Sequence, residues 1–285
     1  MDHFLDLEIA RKSNVIRKII AFGLRIPRSF RGLCGGKRDF LRHPPVIVNS
    51  IPKSGTHLLL QVARSLPNTE YYGSFVAHSP SISLKPRSNE QLVRILSRVV
   101  PGEVLGAHLH YSPKVSQKIQ SINAVHLLII RDPVDILLSE GHYLAHMNAF
   151  HRMAREFRGL DEKESIALAL HGSKKAPDLY PPFTKRLEPY FGWFDNEHTT
   201  VVRYEDLLNV DVRRPVLRRV VDVWCHRSKI GCLDRKNLID RAESAIDPSK
   251  SHTVSNRMAR GNIADHKKAV SDGLLELRLR MGYRS

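Results

Sequence analysis

The chain has few cysteines and no long uncharged apolar run. Three cysteines occur in 285 residues without CxxC spacing, so the sequence indicates neither a disulfide framework nor a thiolate zinc site. We therefore expect a reducing, cytoplasmic location. Within residues 1–42 no apolar stretch reaches the length of a membrane span or of a signal-peptide core, which argues against both kinds of segment there.

Acidic residues are scarce relative to basic ones, with 29 Asp and Glu against 45 Lys and Arg and a net charge of +16. This imbalance favours a polyanionic partner: a nucleotide, a nucleic acid, an acidic polysaccharide or an anionic lipid surface. The aromatic residues, 7% of the chain, form no stacking motif, so we expect no specific nucleic-acid partner. The fifteen histidines include no H-E-x-x-H pattern, and we predict no metal site.

Residues 1–43 form a basic amphipathic N-terminal segment. Ten Lys or Arg and four acids occur among the first forty-two residues, interleaved with apolar side chains. Such a segment can lie on an anionic membrane as a peripheral contact, or it can pack on the domain that follows. Length and composition are those of one large domain, which we place at residues 44–285.

Short apolar runs alternate with helical patterns along this domain. Strands are predicted at Val46–Val48, Glu103–His108, Ala124–Ile130 and His198–Arg203. The alternation predicts a three-layer α/β fold with a mainly parallel sheet and P-loop-like architecture, in which ligands bind at the carboxyl ends of the strands. Pro67–Arg87 is rich in Pro, Ser and Gly and is predicted to be a long surface loop.

A candidate phosphate-binding loop follows the first strand. Free N–H groups and the dipole of the next helix favour an anion at this position. Gly55 allows close approach of the backbone, the hydroxyls of Ser54 and Thr56 can donate hydrogen bonds, and Lys53 supplies a cation. The loop lacks the leading glycine of nucleotide triphosphatases, and its lysine precedes Gly55. A kinase-like phosphotransferase remains the alternative, although no magnesium carboxylate can be placed.

The sequence Pro52-Lys53-Ser54-Gly55-Thr56 resembles the 5'-phosphosulfate loop of sulfotransferases that use 3'-phosphoadenosine 5'-phosphosulfate (PAPS). The usual family form is P-K-S-G-T-T. This resemblance implies that the loop holds the 5'-phosphosulfate and that Lys53 is catalytic. His57 stands where the family commonly has Thr, and its imidazole N–H would replace that contact.

Two further motifs resemble the same family in the same order. Arg131 and Ser139 have the eight-residue separation of the pair that binds the 3'-phosphate, and a guanidinium is suited to that group. His108, in Gly106–His110, is similar to the T-H-L-P stretch whose histidine is the general base. Imidazole suits this task because much of it is neutral near pH 7.

Two weaker segments complete the resemblance. Arg203–Leu207 is similar to R-Y-E-D-L, which implies that Tyr204 lies near the nucleotide. Arg260 and Gly261 match part of the late R-[RK]-G-x-x-G-D-W segment that closes over the 3'-phosphate. The resemblance therefore implies a sulfotransferase that moves a sulfuryl group from PAPS, without a metal, to a hydroxyl or amine. The acceptor stays open among glycans, lipids, small molecules and protein tyrosines, and the basic charge favours an acidic glycan or a membrane-associated acceptor.

Overall fold

Five parallel strands form the centre of the chain in a computed structural model that describes residues 20, 22–34, 36–229, 234–250, 270 and 273–283. The strands are β1 (Val46–Ser50), β2 (Phe75–Ala77), β3 (Val104–His108), β4 (Val125–Ile130) and β5 (Thr199–Arg203). Their order across the sheet is β2-β3-β1-β4-β5, and each neighbouring pair is parallel. The predicted α/β class with a mainly parallel sheet is confirmed.

The three central strands have no exposed face. All residues of β1 and β4 are buried, as continuous β-branched and aliphatic runs in a sheet covered on both sides should be. The prediction was wrong at β2, which lies inside the expected loop of residues 67–87. β2 has three residues and pairs only with β3, so it is too short to give a periodic apolar signal.

Helices cover both faces of the sheet. Those of the first half are α1 (Arg25–Cys34), α2 (Lys37–Arg42), α3 (Thr56–Ser65), α4 (Asn89–Leu96), α5 (Pro113–Ser121) and α6 (Pro133–His146). Those of the second half are α7 (Ala154–Phe157), α8 (Glu162–His171), α9 (Phe183–Leu187), α10 (Tyr204–Leu208), α11 (Val210–Arg227), α12 (Arg235–Ser244) and α13 (Leu275–Arg280). Short 3-10 helices span Glu188–Trp193 and Pro248–Lys250.

Two apolar clusters, one on each side of the sheet, form the core. One contains residues of α3, α11 and α12, and the other contains residues of α4, α5, α6 and α8. This is the three-layer arrangement that alternating strands and helices require. The layers bury the strands and leave the loops at the carboxyl ends of the strands to form a site.

Local signals set several helix starts. The hydroxyl of Ser88 accepts a hydrogen bond from the Gln91 N–H while the Gln91 side chain accepts one from the Ser88 N–H, which forms a capping box at the start of α4. α11 begins at Val210, because the Asn209 side chain accepts a hydrogen bond from the Asp211 N–H and so caps the helix. Pro215 lies inside α11.

The pairing of Cys225 and the lengths of the helices can be compared with what the sequence predicted. Cys225 is disulfide-bonded, a pairing that the cysteine spacing did not indicate. Within the described ranges no helix is long and apolar enough to cross a membrane. The boundary between residues 43 and 44 stays a prediction.

Candidate active site

The loop between β1 and α3 turns sharply at the carboxyl edge of the sheet. Lys53 and Gly55 both have left-handed backbone conformations, with φ of 70° and 96°. A Cβ on Gly55 would lie 2.3 Å from Cδ2 of Tyr204, so the ring of Tyr204 packs directly on this glycine. Only a residue without a side chain allows that contact and that φ together.

Two buried polar atoms near this loop have no partner in the described part of the chain. The Ser54 hydroxyl is one of them, and the Nε of Arg131 is the other. Both side chains are buried. A buried donor without an acceptor costs free energy, so each one indicates an acceptor group that completes the site. An anion that accepts from both would satisfy them.

Lys53 reaches across the site to α6. Its Nζ lies 3.8 Å from the centre of the Tyr143 ring. Burial lowers the pKa of Lys53 to about 8, Glu140 opposes this shift, and the nearby Arg131 adds to it. The lysine is therefore a cation at neutral pH that is poorly compensated and gains from a bound anion.

Arg131 lies at the end of β4, where the sequence predicted it. Its guanidinium carbon is 4.7 Å from the centre of the Tyr204 ring, and its Nη2 is 3.5 Å from Oδ2 of Asp135. Ser139 is also buried, two turns along α6. Tyr204 thus contacts both Gly55 in the loop after β1 and the guanidinium of Arg131 at the end of β4, the strand beside β1 in the sheet.

His108 ends β3 and is held by Ser50. Its Nδ1 lies 2.9 Å from the carbonyl oxygen of Ser50 and 3.0 Å from the Ser50 hydroxyl. A carbonyl can only accept, so Nδ1 carries the proton and Nε2 has the free lone pair of the neutral ring. Burial lowers the pKa of His108 to about 4, with Lys53 adding to this effect, so the ring is neutral at physiological pH.

Further histidines extend this end of the site. His110 stacks on His78 with ring centres 3.9 Å apart. The rings of His110 and Tyr190 meet edge to face, with their centres 4.9 Å apart. Burial and the neighbouring imidazole of His78 lower the pKa of His110 to about 3. Phe75 contacts the His108 ring edge-on at 4.8 Å. Neutral rings therefore lie beside His108 at this end of the site.

Sequence reasoning missed the residues that position the predicted ones. The Ser50 hydroxyl lies 2.7 Å from the Thr56 hydroxyl and also bonds to the Ala107 carbonyl, so it connects α3 to β3. Asn49 is fully buried and exchanges hydrogen bonds with the backbone of Leu109 next to His108. Both are polar residues that end an apolar strand, and this was the available signal.

Nine of the eleven predicted site residues lie within the described part of the chain. His57 is exposed on the first turn of α3. Arg260 and Gly261 lie outside the described residues. The structure brings together the other predicted residues at the carboxyl ends of β1, β3, β4 and β5, namely Lys53, Ser54, Gly55, Thr56, His108, Arg131, Ser139 and Tyr204.

Comparisons with known proteins identify the family to which the chain belongs. A family model described as "Sulfotransferase domain" matches residues 43–220, more than half of the chain. Among solved structures, the chain is similar to the crystal structure of the mouse sulfotransferase SULT7A1 complexed with PAP. The identity is 17%, the TM-score is 0.47, and the match covers 74% of this chain and 67% of that one. A comparison with curated proteins found no match.

Proposed function

This chain belongs to the sulfotransferase domain family and is a PAPS-dependent sulfotransferase, and we propose that it sulfates a hydroxyl or amine with His108 as its general base. The observation that supports this most is the contact of Tyr204 with both Gly55 and Arg131. It joins the candidate 5'-phosphate loop to the candidate 3'-phosphate arginine through one aromatic ring. A single nucleotide with phosphates at both ends fits that arrangement.

Two of the groups that hold the donor, the Ser54 hydroxyl and the Nε of Arg131, otherwise lack a partner in the described part of the chain. Ser54, Gly55 and Thr56 surround the 5'-phosphosulfate at the start of α3, where free N–H groups favour an anion. Arg131 and Ser139 hold the 3'-phosphate, with the orphaned Nε of Arg131 as a donor. No metal takes part in this scheme, because the cations that meet the phosphates are side chains of the protein.

His108 removes the proton from the acceptor. Its Nε2 has the free lone pair because Nδ1 donates to the Ser50 carbonyl. The acceptor O–H or N–H gives its proton to Nε2, and the oxygen or nitrogen forms a bond to sulfur. The bond between sulfur and the bridging oxygen of the 5'-phosphate breaks on the opposite side. Such an in-line displacement depends on positioning and on stabilisation of the leaving group.

Lys53 stabilises the leaving group. As the bond to sulfur breaks, negative charge grows on the bridging oxygen and becomes part of 3'-phosphoadenosine 5'-phosphate (PAP). A buried ammonium meets this charge in an environment of low dielectric, where it acts more strongly than in water. The packing of Nζ on the Tyr143 ring restricts the lysine side chain.

Calorimetric titration with PAP and with ATP tests the donor site. We expect wild-type protein to prefer PAP over ATP, and Arg131→Ala to lose about tenfold or more of its PAP affinity, since a charge-assisted hydrogen bond is removed. Arg94→Ala is the control, because Arg94 is exposed on α4 and its side chain donates to the carbonyl of Glu90 in the same helix. Preference for ATP, or equal affinities for the two variants, would contradict the proposal.

A second measurement separates the base from the donor site. His108→Asn should keep PAP affinity within about twofold and lower kcat by about 10² to 10⁴. Transfer is followed as PAP release with a panel of phenol, alcohol and amine acceptors. If kcat is unchanged, another group is the base and the mechanism is wrong even though the donor assignment stands.

A further inference from the structure

Helix α1 faces the domain with its arginines and not with its apolar side chains. The Nε of Arg28 donates to Oε1 of Glu103 at 2.8 Å, and its Nη2 donates to the carbonyl of Arg98 at 2.7 Å. The Glu103 carboxylate is fully buried, and its other oxygen accepts from the N–H of Val100. Arg31 adds a bond to the carbonyl of Asn68. Polar contacts therefore set the rotation of this helix.

A small residue brings the same face close to the domain. Gly32 is four residues after Arg28 and so lies on the same side of the helix. A Cβ at Gly32 would be 3.2 Å from Cγ1 of Val100, which shows close packing of the helix on this loop. Since Arg28 and Gly32 point inward, the apolar residues of α1 are turned outward.

The outer face of α1 is apolar and open. It consists of Ile26, Phe30 and Leu33 of α1 together with Phe22, three residues before α1, at spacings of four, four and three residues that place them in one stripe. Their exposed fractions are 68% for Phe22, 77% for Ile26, 69% for Phe30 and 86% for Leu33. A soluble domain rarely exposes such a contiguous apolar stripe, so it marks an interaction surface.

Charge identifies the partner. From Arg11 to Arg42 the sequence has ten Lys or Arg and a single acid, Asp39. Arg25 lies beside the stripe, with its guanidinium carbon 5.3 Å from the centre of the Phe22 ring. A second copy would carry the same positive charge and repel the first, whereas an anionic bilayer attracts the cations and accepts the apolar residues between its headgroups.

We propose that the outer face of α1 docks this protein on anionic lipid bilayers, with Phe22, Ile26, Phe30 and Leu33 inserted into the interface. The helix lies parallel to the bilayer plane and does not cross it. Glu103 directly precedes β3, so α1 lies at the amino ends of the strands. The docked bilayer therefore contacts the end opposite to His108 and leaves the candidate active site open to acceptors away from the membrane.

Vesicle flotation tests the proposal. Full-length protein is mixed with vesicles of phosphatidylcholine alone or of phosphatidylcholine with phosphatidylserine. We expect binding to the anionic vesicles that weakens as salt rises, because the cations are screened. Ile26→Ser with Phe30→Ser should weaken this binding at least about tenfold, since two large apolar side chains no longer leave water. Absence of wild-type binding to the anionic vesicles would overturn the proposal.

A matched double variant and two further measurements exclude other occupants. Val210→Ser with Leu279→Ser also removes two exposed apolar side chains, and it should bind like wild type. Equal loss in both double variants would overturn the proposal. A melting temperature of Ile26→Ser with Phe30→Ser that is several degrees below that of wild type would also overturn the proposal, because it would show that another part of the same chain covers the stripe. A wild-type dimer that these substitutions turn into a monomer would assign the stripe to a second copy instead.

Discussion

Replacing Gly55 with alanine should damage the candidate donor site through one contact. A Cβ at this position would lie 2.3 Å from Cδ2 and 2.8 Å from Cε2 of Tyr204. Ordinary contacts between carbon atoms are about 3.5 to 4.0 Å, so the ring must move by more than an ångström. The left-handed φ of 96° adds strain of about 1–2 kcal/mol for a residue with a side chain.

Gly159→Ala is the matched control for this change. Gly159 has a similar φ of 81° but nothing within 4 Å of a built Cβ, so alanine there meets the backbone strain without the clash. We expect Gly159→Ala to lower the free energy of unfolding by about 1–2 kcal/mol. Gly55→Ala should lower it by about 3 kcal/mol, because displacing a packed ring typically costs a further 1–3 kcal/mol.

Ligand affinity provides the second comparison. A displaced Tyr204 also leaves the guanidinium of Arg131, which is 4.7 Å from its ring centre. We expect PAP affinity to fall about tenfold in Gly55→Ala, the size of one desolvated cation–π contact, and to be unchanged in Gly159→Ala. Urea unfolding and calorimetry measure both quantities.

A double-mutant cycle identifies the ring as the cause. Adding Tyr204→Ala to Gly55→Ala removes the clash but keeps the strain, so the combined loss of stability should be about 1–2 kcal/mol smaller than the sum of the single losses. If Gly55→Ala and Gly159→Ala behave alike in stability and in PAP affinity, Tyr204 does not pack on Gly55 and the reasoning fails.

Three further outcomes follow from the charges. PAP affinity should be constant from neutral pH to about 8 and then fall by up to about tenfold per pH unit, because the pKa of Lys53 is lowered to about 8. In Lys53→Arg the affinity should not fall above pH 8, since arginine keeps its charge. A wild-type affinity that begins to fall only near pH 10 would contradict this prediction. Burial lowers the pKa of His126 to about 3, so below pH 6.5 the unfolded chain binds a proton at this residue that the folded chain does not. The free energy of unfolding should therefore fall by up to ~1.4 kcal/mol per pH unit below pH 6.5. Urea unfolding at a series of acidic pH values measures this slope, which should be smaller in His126→Gln. Arg28→Met should lower the free energy of unfolding by about 2 kcal/mol, because it leaves the buried Glu103 carboxylate without its cation. Arg38→Met, at an exposed position, should lower it by less than ~0.5 kcal/mol. Equal melting temperatures for the two variants would refute the anchoring of α1 by Arg28.

Some elements of the fold were predictable because their signal is local. The apolar runs of β1, β3 and β4 reach strand length, and proline marks the helix starts that follow β3 and β4. A parallel sheet brings the carboxyl ends of such strands to one edge, so the sequence was enough to predict that Lys53, His108 and Arg131 belong to one site. β2 could not be predicted, because a three-residue edge strand depends on its partner β3.

Sequence alone therefore determined the α/β class, the candidate loop and the order of its partners, because these depend on periodicity and on residue type within short segments. Tertiary structure decided which atoms meet: Tyr204 on Gly55, Lys53 on Tyr143, and Ser50 between Thr56 and His108. It also decided that Arg28 points inward and Phe30 outward. An amphipathic pattern shows that a helix has two faces, but only the packing of distant segments selects the face that contacts the domain.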